Sequence, residues 1–312
     1  MATGYGYGKV ILFGEHFVVH RRPTIASGIS RTTVAELRPG TEPGFKIIDN
    51  RLAAKDYKDK YIEQQKKSVE NMNNLVWGLN FEKTPVEVTL AGDLYCASGV
   101  GASAASCVAM ARAVSEHFDL GYDDEQINQC GLEGDKAYAK NPSGVDNTCS
   151  TYGGLIYFRK GRDEAPNTTD YPILGKPLDI LMVSTGITAK TEDALQVVED
   201  KMAAEPELCK EIFDEAEAIV EKAMTALAAG DLPAVGKLMD LNHILLQRMG
   251  VNHELLDYLV ELCRKNGALG AKMTGGGMGG YMVALFADAN ARDAAAKMCK
   301  SEGYEFISAR IG

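Results

Sequence analysis

The sequence predicts a mixed α/β (α+β) fold in two domains, and three observations carry that expectation. The chain has 312 residues, more than one hydrophobic core usually serves, so two domains or one large α/β unit are expected. The first third supplies several strand-type segments, after which a glycine turn opens a helix-compatible run. The second half carries long amphipathic helical segments before strands return. A polar, turn-rich stretch at 159–176, with Lys160-Gly161-Arg162-Asp163 and Pro166-Asn167, separates the halves and sets the expected domains at 1–165 and 175–312.

Val10–Phe13 is β-branched and aromatic-rich and reads as a short buried strand. Lys9 stands at one end of it. Gly14, Glu15 and His16 stand at the other, before Phe17, Val18 and Val19 resume the apolar pattern. Charged groups set between apolar runs are costly to bury without partners. They mark either a functional turn or an exposed turn closed by a salt bridge. Strands are expected around 23–37 and 45–48, split by Pro39-Gly40 and Pro43-Gly44. Residues 51–72 are highly charged, with Leu52, Tyr57, Tyr61 and Ile62 at helical spacing, and read as a solvated surface helix. Val86–Leu90 alternates strictly and forms the strand that delivers the chain to a glycine turn at 98–103.

That turn is the centre of the sequence. Gly99 and Gly101 let the backbone approach a ligand closely, and an alanine-rich helical run starts near Ser103. Free N–H groups at a helix N-terminus, reinforced by the helix dipole, make an anion site. The alternative is a tight turn before a packed helix. A further helix is expected at 122–140. Asn141-Pro142-Ser143-Gly144 then forces an irregular backbone ahead of Asp146. Asp146 is a candidate base or metal ligand, or else an Asx-turn or capping aspartate.

Leu155–Phe158 and Leu178–Val183 read as strands, the second ending in Ser184-Thr185-Gly186. Amphipathic helices are expected at 206–229, about 232–249 and about 253–266. The chain then reaches Lys272-Met273-Thr274-Gly275-Gly276-Gly277-Met278-Gly279-Gly280, followed by the strand Tyr281–Phe286. This is either a second loop that presses its backbone onto a ligand or a glycine-rich hairpin. Neither glycine loop is a Walker A motif, and the first lacks the third glycine of the dinucleotide fingerprint.

Composition removes several classes. The net charge of −10 and a pI near 5.1 argue against nucleic acid as a partner. The longest apolar runs are too short to span a bilayer, and the N-terminus does not resemble a secretory signal. Seven widely spaced cysteines without Cys-x-x-Cys fit free thiols in a cytoplasmic protein, and five histidines form no transition-metal motif.

Three separated motifs fit one family. Gly8-Lys9-Val10-Ile11-Leu12-Phe13-Gly14-Glu15-His16-Phe17-Val18-Val19, Ser98-Gly99-Val100-Gly101-Ala102-Ser103-Ala104-Ala105 and Lys272–Gly280 resemble the signatures of the GHMP small-molecule kinases. Asn141–Asn147 with Thr151-Tyr152-Gly153-Gly154 resembles the catalytic-aspartate segment, in the version found in the branch that phosphorylates (R)-mevalonate. The resemblance implies a two-domain fold with a ribosomal-protein-S5-like N-terminal part and a ferredoxin-like C-terminal part. It implies an ATP- and Mg²⁺-dependent transfer to an alcohol, and a homodimer.

The same resemblance assigns residues. ATP phosphates would lie on Ser98, Gly99, Val100, Gly101, Ala102, Ser103 and Ala104, with the loop at Gly275, Gly276 and Gly277 closing over them. Ser103 and Asp135 would hold the metal, with Glu133 as the alternative to Asp135. Asp146 would receive or orient the hydroxyl proton, aided by Lys9. Glu15, His16 and Thr185 would bind substrate. Three departures stand out: Ala102 replaces the usual first serine of the phosphate loop, the usual proline ahead of it is absent near Cys96-Ala97, and Asp135 replaces a glutamate. Other small alcohols (phosphomevalonate, a sugar or homoserine) and a non-catalytic ligand sensor are the competing readings.

Overall fold

The structure, a computed structural model, describes every residue except 54, 97–98, 140–141, 162–164 and 190, and the backbone alone at 191. Ser98, at the head of the expected phosphate loop, therefore lies outside the described residues, as do Asn141 and the Arg162-Asp163 pair. The chain divides into two compact units. The first comprises Met1–Lys9 and Gly28–Gly153, the second Val10–Ser27 and Gly154–Gly312. Two long strands, β1 (Ala2–Phe13) and β2 (Thr24–Pro39), each contribute to both.

In the first unit, β3 (Phe45–Asp49) pairs parallel to β4 (Val86–Gly92), which pairs antiparallel to the later part of β2. The helix α1 (Tyr57–Met72) lies between β3 and β4 in the chain. Behind β4 come α2 (Ala102–His117), α3 (Asp124–Asp135) and α4 (Val145–Tyr152). The core joins Leu37, Val88 and Leu90 of the sheet to Met72, Trp77, Met110 and Val114. A capping box between Asp123 and Gln126 starts α3.

β1 begins well before the Val10–Phe13 segment read as a strand. Gly4 and Gly6 hide it, because glycine carries no strand signal. Packing explains them: a Cβ at Gly4 would lie 2.1 Å from the Ala109 carbonyl oxygen, and one at Gly6 2.2 Å from that of Ala105. Glycines on the strand and alanines on α2 let the two backbones meet, which fixes α2 and the turn that precedes it.

In the second unit, β5 (Leu155–Arg159) pairs with the start of β2 and with β6 (Thr168–Asp170), so part of the turn-rich stretch is sheet. Then follow β7 (Leu178–Ser184), α5 (Thr191–Ala204), α6 (Pro206–Ala229), α7 (Leu232–Met249), α8 (Glu254–Lys265), β8 (Gly270–Thr274), β9 (Tyr281–Phe286), α9 (Ala289–Ser301) and β10 (Phe306–Ile311). The strands form an antiparallel sheet in the order β10-β7-β9-β8. That order is the ferredoxin-like arrangement, with four helices in its first crossover. The three helices expected at 206–229, 232–249 and 253–266 form at those places, α6 opening on Pro206 and ending at Gly230. Phe17–His20, after the Glu15 turn, is a 3₁₀ turn. All seven cysteines are buried thiols. Among the described residues no helix is long and apolar enough to cross a membrane.

Candidate active site

In the first unit the glycine turn does feed a helix N-terminus. Gly99 has φ 98° and Gly101 φ 69°, and α2 starts at Ala102. The Lys9 amide donates to the Val100 carbonyl at 2.8 Å, which ties the loop to β1. A side chain at residue 101 would place its Cβ 2.8 Å from Lys9 Cγ, so glycine is required twice over, for its dihedral and for its space. Arg51, buried and paired with Asp49 at 2.6 Å, donates to the Ala102 carbonyl at 3.1 Å.

Lys9, Asp146, Ser103 and Asp135 gather beside that turn. Lys9 Nζ is 2.9 Å from Asp146 Oδ1. Asp146 occupies the first turn of α4, just after Gly144, rather than the loop before it. Ser103 Oγ donates to Asp135 Oδ1 at 2.9 Å. Burial first, and then the negative charge of Asp146, pushes the Asp135 carboxyl up to about 7, against the pull of Ser103 and Lys9. Glu133 points to other work: its oxygens accept from Lys136 at 2.7 and 2.8 Å and from Gln129 at 2.8 Å. Among the described residues no three His, Cys, Asp or Glu side chains surround one metal position. One hydroxyl and one carboxylate are nonetheless an oxygen donor set that suits a hard cation completed by phosphate and water. A cation there would also offset the cost of ionising buried Asp135.

A cavity of about 1100 Å³ in the first unit has Ser103 in its wall. Phe45, Asp49, Arg51, Tyr57, Tyr61, Gln65 and Tyr138 are among its walls. The segment that reads as a solvated surface helix, α1, lines this cavity with Tyr57, Tyr61 and Gln65. Its charged residues mask a buried face formed by Tyr57, Val69 and Met72.

The second unit holds the other expected residues. Glu15 and Lys272 form a wholly buried ion pair. His16 Nε2 lies 2.9 Å from the Gly276 carbonyl oxygen, and burial pushes its imidazole down to about 4. Thr185 Oγ1 donates to the Gly280 carbonyl at 3.0 Å. Gly14 N–H donates to Asn242 Oδ1 at 3.2 Å. Neither Lys272 nor Asn242 was singled out for a site role; their partners lie more than two hundred residues away, and no local pattern announces such a pairing.

Two family models match, GHMP kinases N terminal domain over residues 65–154 and GHMP kinases C terminal over residues 223–305. The mevalonate kinase of Pyrococcus horikoshii is 31% identical over 295 residues, covering 89% of this chain and 86% of its own. The chain belongs to the GHMP kinase family. The family expected from the motifs, and the two-part α/β fold, are those found. Other GHMP kinases give the same answer. The mevalonate kinase of Aeropyrum pernix is 27% identical over 311 residues, 96% of this chain and 93% of its own. The crystal structure of L. major mevalonate kinase in complex with R-mevalonate superposes with a TM-score of 0.92 at 36% identity, over 100% of this chain and 96% of that one.

Proposed function

We propose that this GHMP kinase transfers the γ-phosphoryl group of ATP to the 5-hydroxyl of (R)-mevalonate, giving (R)-5-phosphomevalonate and ADP. The observation that carries the reading is the likeness to L. major mevalonate kinase with R-mevalonate bound, at 36% identity and a TM-score of 0.92 over the whole chain.

The roles follow from chemistry. Phosphoryl transfer needs positioning and charge neutralisation more than covalent help. Gly99–Ala104 and the first turn of α2 receive phosphate oxygens, and the cavity lined by Ser103, Tyr57 and Tyr61 takes the rest of the nucleotide. Gly275–Gly277 provides the second backbone contact to phosphate. Asp146 accepts or orients the proton of the attacking hydroxyl, and Lys9 at 2.9 Å holds that carboxylate in place. Ser103 and Asp135 are the residues that would hold Mg²⁺, which when bound supplies positive charge toward the phosphates. His16 and Thr185 serve the substrate. The N-terminal part, expected as 1–165, thus carries nucleotide and base, and 175–312 the closing loop. A homodimer is proposed on the family resemblance alone. Incubation with ATP, Mg²⁺ and (R)-mevalonate, followed by mass spectrometry, tests the reading: a phosphomonoester of mevalonate supports it, and unchanged mevalonate refutes it.

A further inference from the structure

His16 stands at the centre of a γ-turn. Its backbone has φ 61° and ψ −43°, and the Phe17 N–H donates to the Glu15 carbonyl at 2.6 Å. A three-residue turn with positive φ is rare and strained for a residue that carries a side chain, and it persists only where its surroundings over-determine it. The surroundings here are specific. On one side of His16, Glu15 is locked into the buried pair with Lys272, whose Nζ also donates to the Met273 carbonyl at 2.7 Å. The His16 ring itself meets the Gly276 carbonyl. Upstream, Ile11 and Thr274 exchange two hydrogen bonds of 3.0 and 2.9 Å. A single run, 272–276, therefore grips 11–16 at three points, all within the second unit.

The grip also sets the imidazole's chemistry. A carbonyl only accepts, so His16 Nε2 must carry the proton and Nδ1 is left as an acceptor. Nδ1 is buried and meets no donor among the described residues. Its burial keeps the ring neutral, with the pKa near 4.

We propose that Lys272 is a positioning residue for the transfer: its ion pair with Glu15 holds the γ-turn closed, which presents His16 Nδ1 as a hydrogen-bond acceptor for a hydroxyl-bearing ligand and ties the turn to the glycine loop 275–280. Glu15 then acts through Lys272, without touching substrate. The kinetic arm of this inference rests on the kinase reading above; the spectroscopic arm does not.

The test compares Lys272→Met, Glu15→Gln and the double variant in the full-length protein. Steady-state kinetics are measured with ATP and (R)-mevalonate, and His16 is followed by ¹⁵N NMR of its ring. Two groups that act as one unit couple by at least ~2-fold. Each single variant is therefore expected to lower kcat, and the double variant to lose no more than the worse single one. The ring is expected to show the neutral Nε2–H form in the wild type and a tautomer mixture in the variants. A single variant that fails to fold leaves one buried charge uncompensated. The double variant carries neither charge, and its ring spectrum and kcat then decide. Losses that multiply in the double variant, or an unchanged Nε2–H signature in any folded variant, overturn the proposal. A wild type without kinase activity refutes the kinase reading, and the ring spectra still decide the role of Lys272.

Discussion

Lys9 Nζ meets Asp146 Oδ1 at 2.9 Å, the lysine side chain 5% exposed and the aspartate side chain 32% exposed. The pair is thus buried at its cationic end and open at its anionic end, the polarity wanted where a carboxylate has to reach a ligand. Asp146→Asn and Lys9→Met should each lower kcat by at least ~10²-fold while nucleotide still binds. Steady-state kinetics beside nucleotide titration checks this; a near-wild-type kcat in Asp146→Asn removes it from the role.

Asp135 should leave a pH signature. Its folded pKa, about 7, lies above the unfolded value of 3.8. Between those values the folded protein keeps a proton that the unfolded chain has released, so stability falls as pH rises from about 4 to about 7 and stays low above that. Asp135→Asn, which still accepts from Ser103, should therefore raise Tm at pH 8 by the equivalent of a few kcal/mol, on the order of 1–3, and leave it unchanged near pH 4. Thermal denaturation across that range, without divalent cation, measures it. Equal Tm values at pH 8 contradict it.

Gly101→Ala probes the turn itself. The left-handed dihedral costs about 1–2 kcal/mol for any residue with a Cβ, and the new methyl meets Lys9 Cγ at 2.8 Å. Displacing Lys9 should reduce kcat by at least ~10-fold beyond what the Tm change explains. A variant that loses stability but keeps kcat would uncouple the turn from Lys9.

Much of this was legible in the sequence where local pattern and function coincide. Helices α6, α7 and α8 declare themselves through apolar periodicity and through Gly230 and Gly250 at their ends. The strands β4, β7 and β9 do so through alternation or unbroken apolar runs. Ser103 and Asp135, each expected at a metal, are joined by a hydrogen bond of 2.9 Å. Other features were hidden for physical reasons. The start of β1 carries glycines whose purpose, contact with α2, is tertiary. The helix α1 shows water its charges and the cavity its tyrosines. The ion pair of Glu15 with Lys272 joins residues 257 positions apart, and long-range ion pairs leave no local signal.

The most direct measurement is a coupled ADP-release assay with ATP and Mg²⁺ across (R)-mevalonate, phosphomevalonate, galactose and homoserine. Turnover with (R)-mevalonate at about 1–100 s⁻¹, and kcat/KM at least ~100-fold lower for the other three, is the predicted result. Background rates with (R)-mevalonate, or a higher kcat/KM for any of the others, would contradict it.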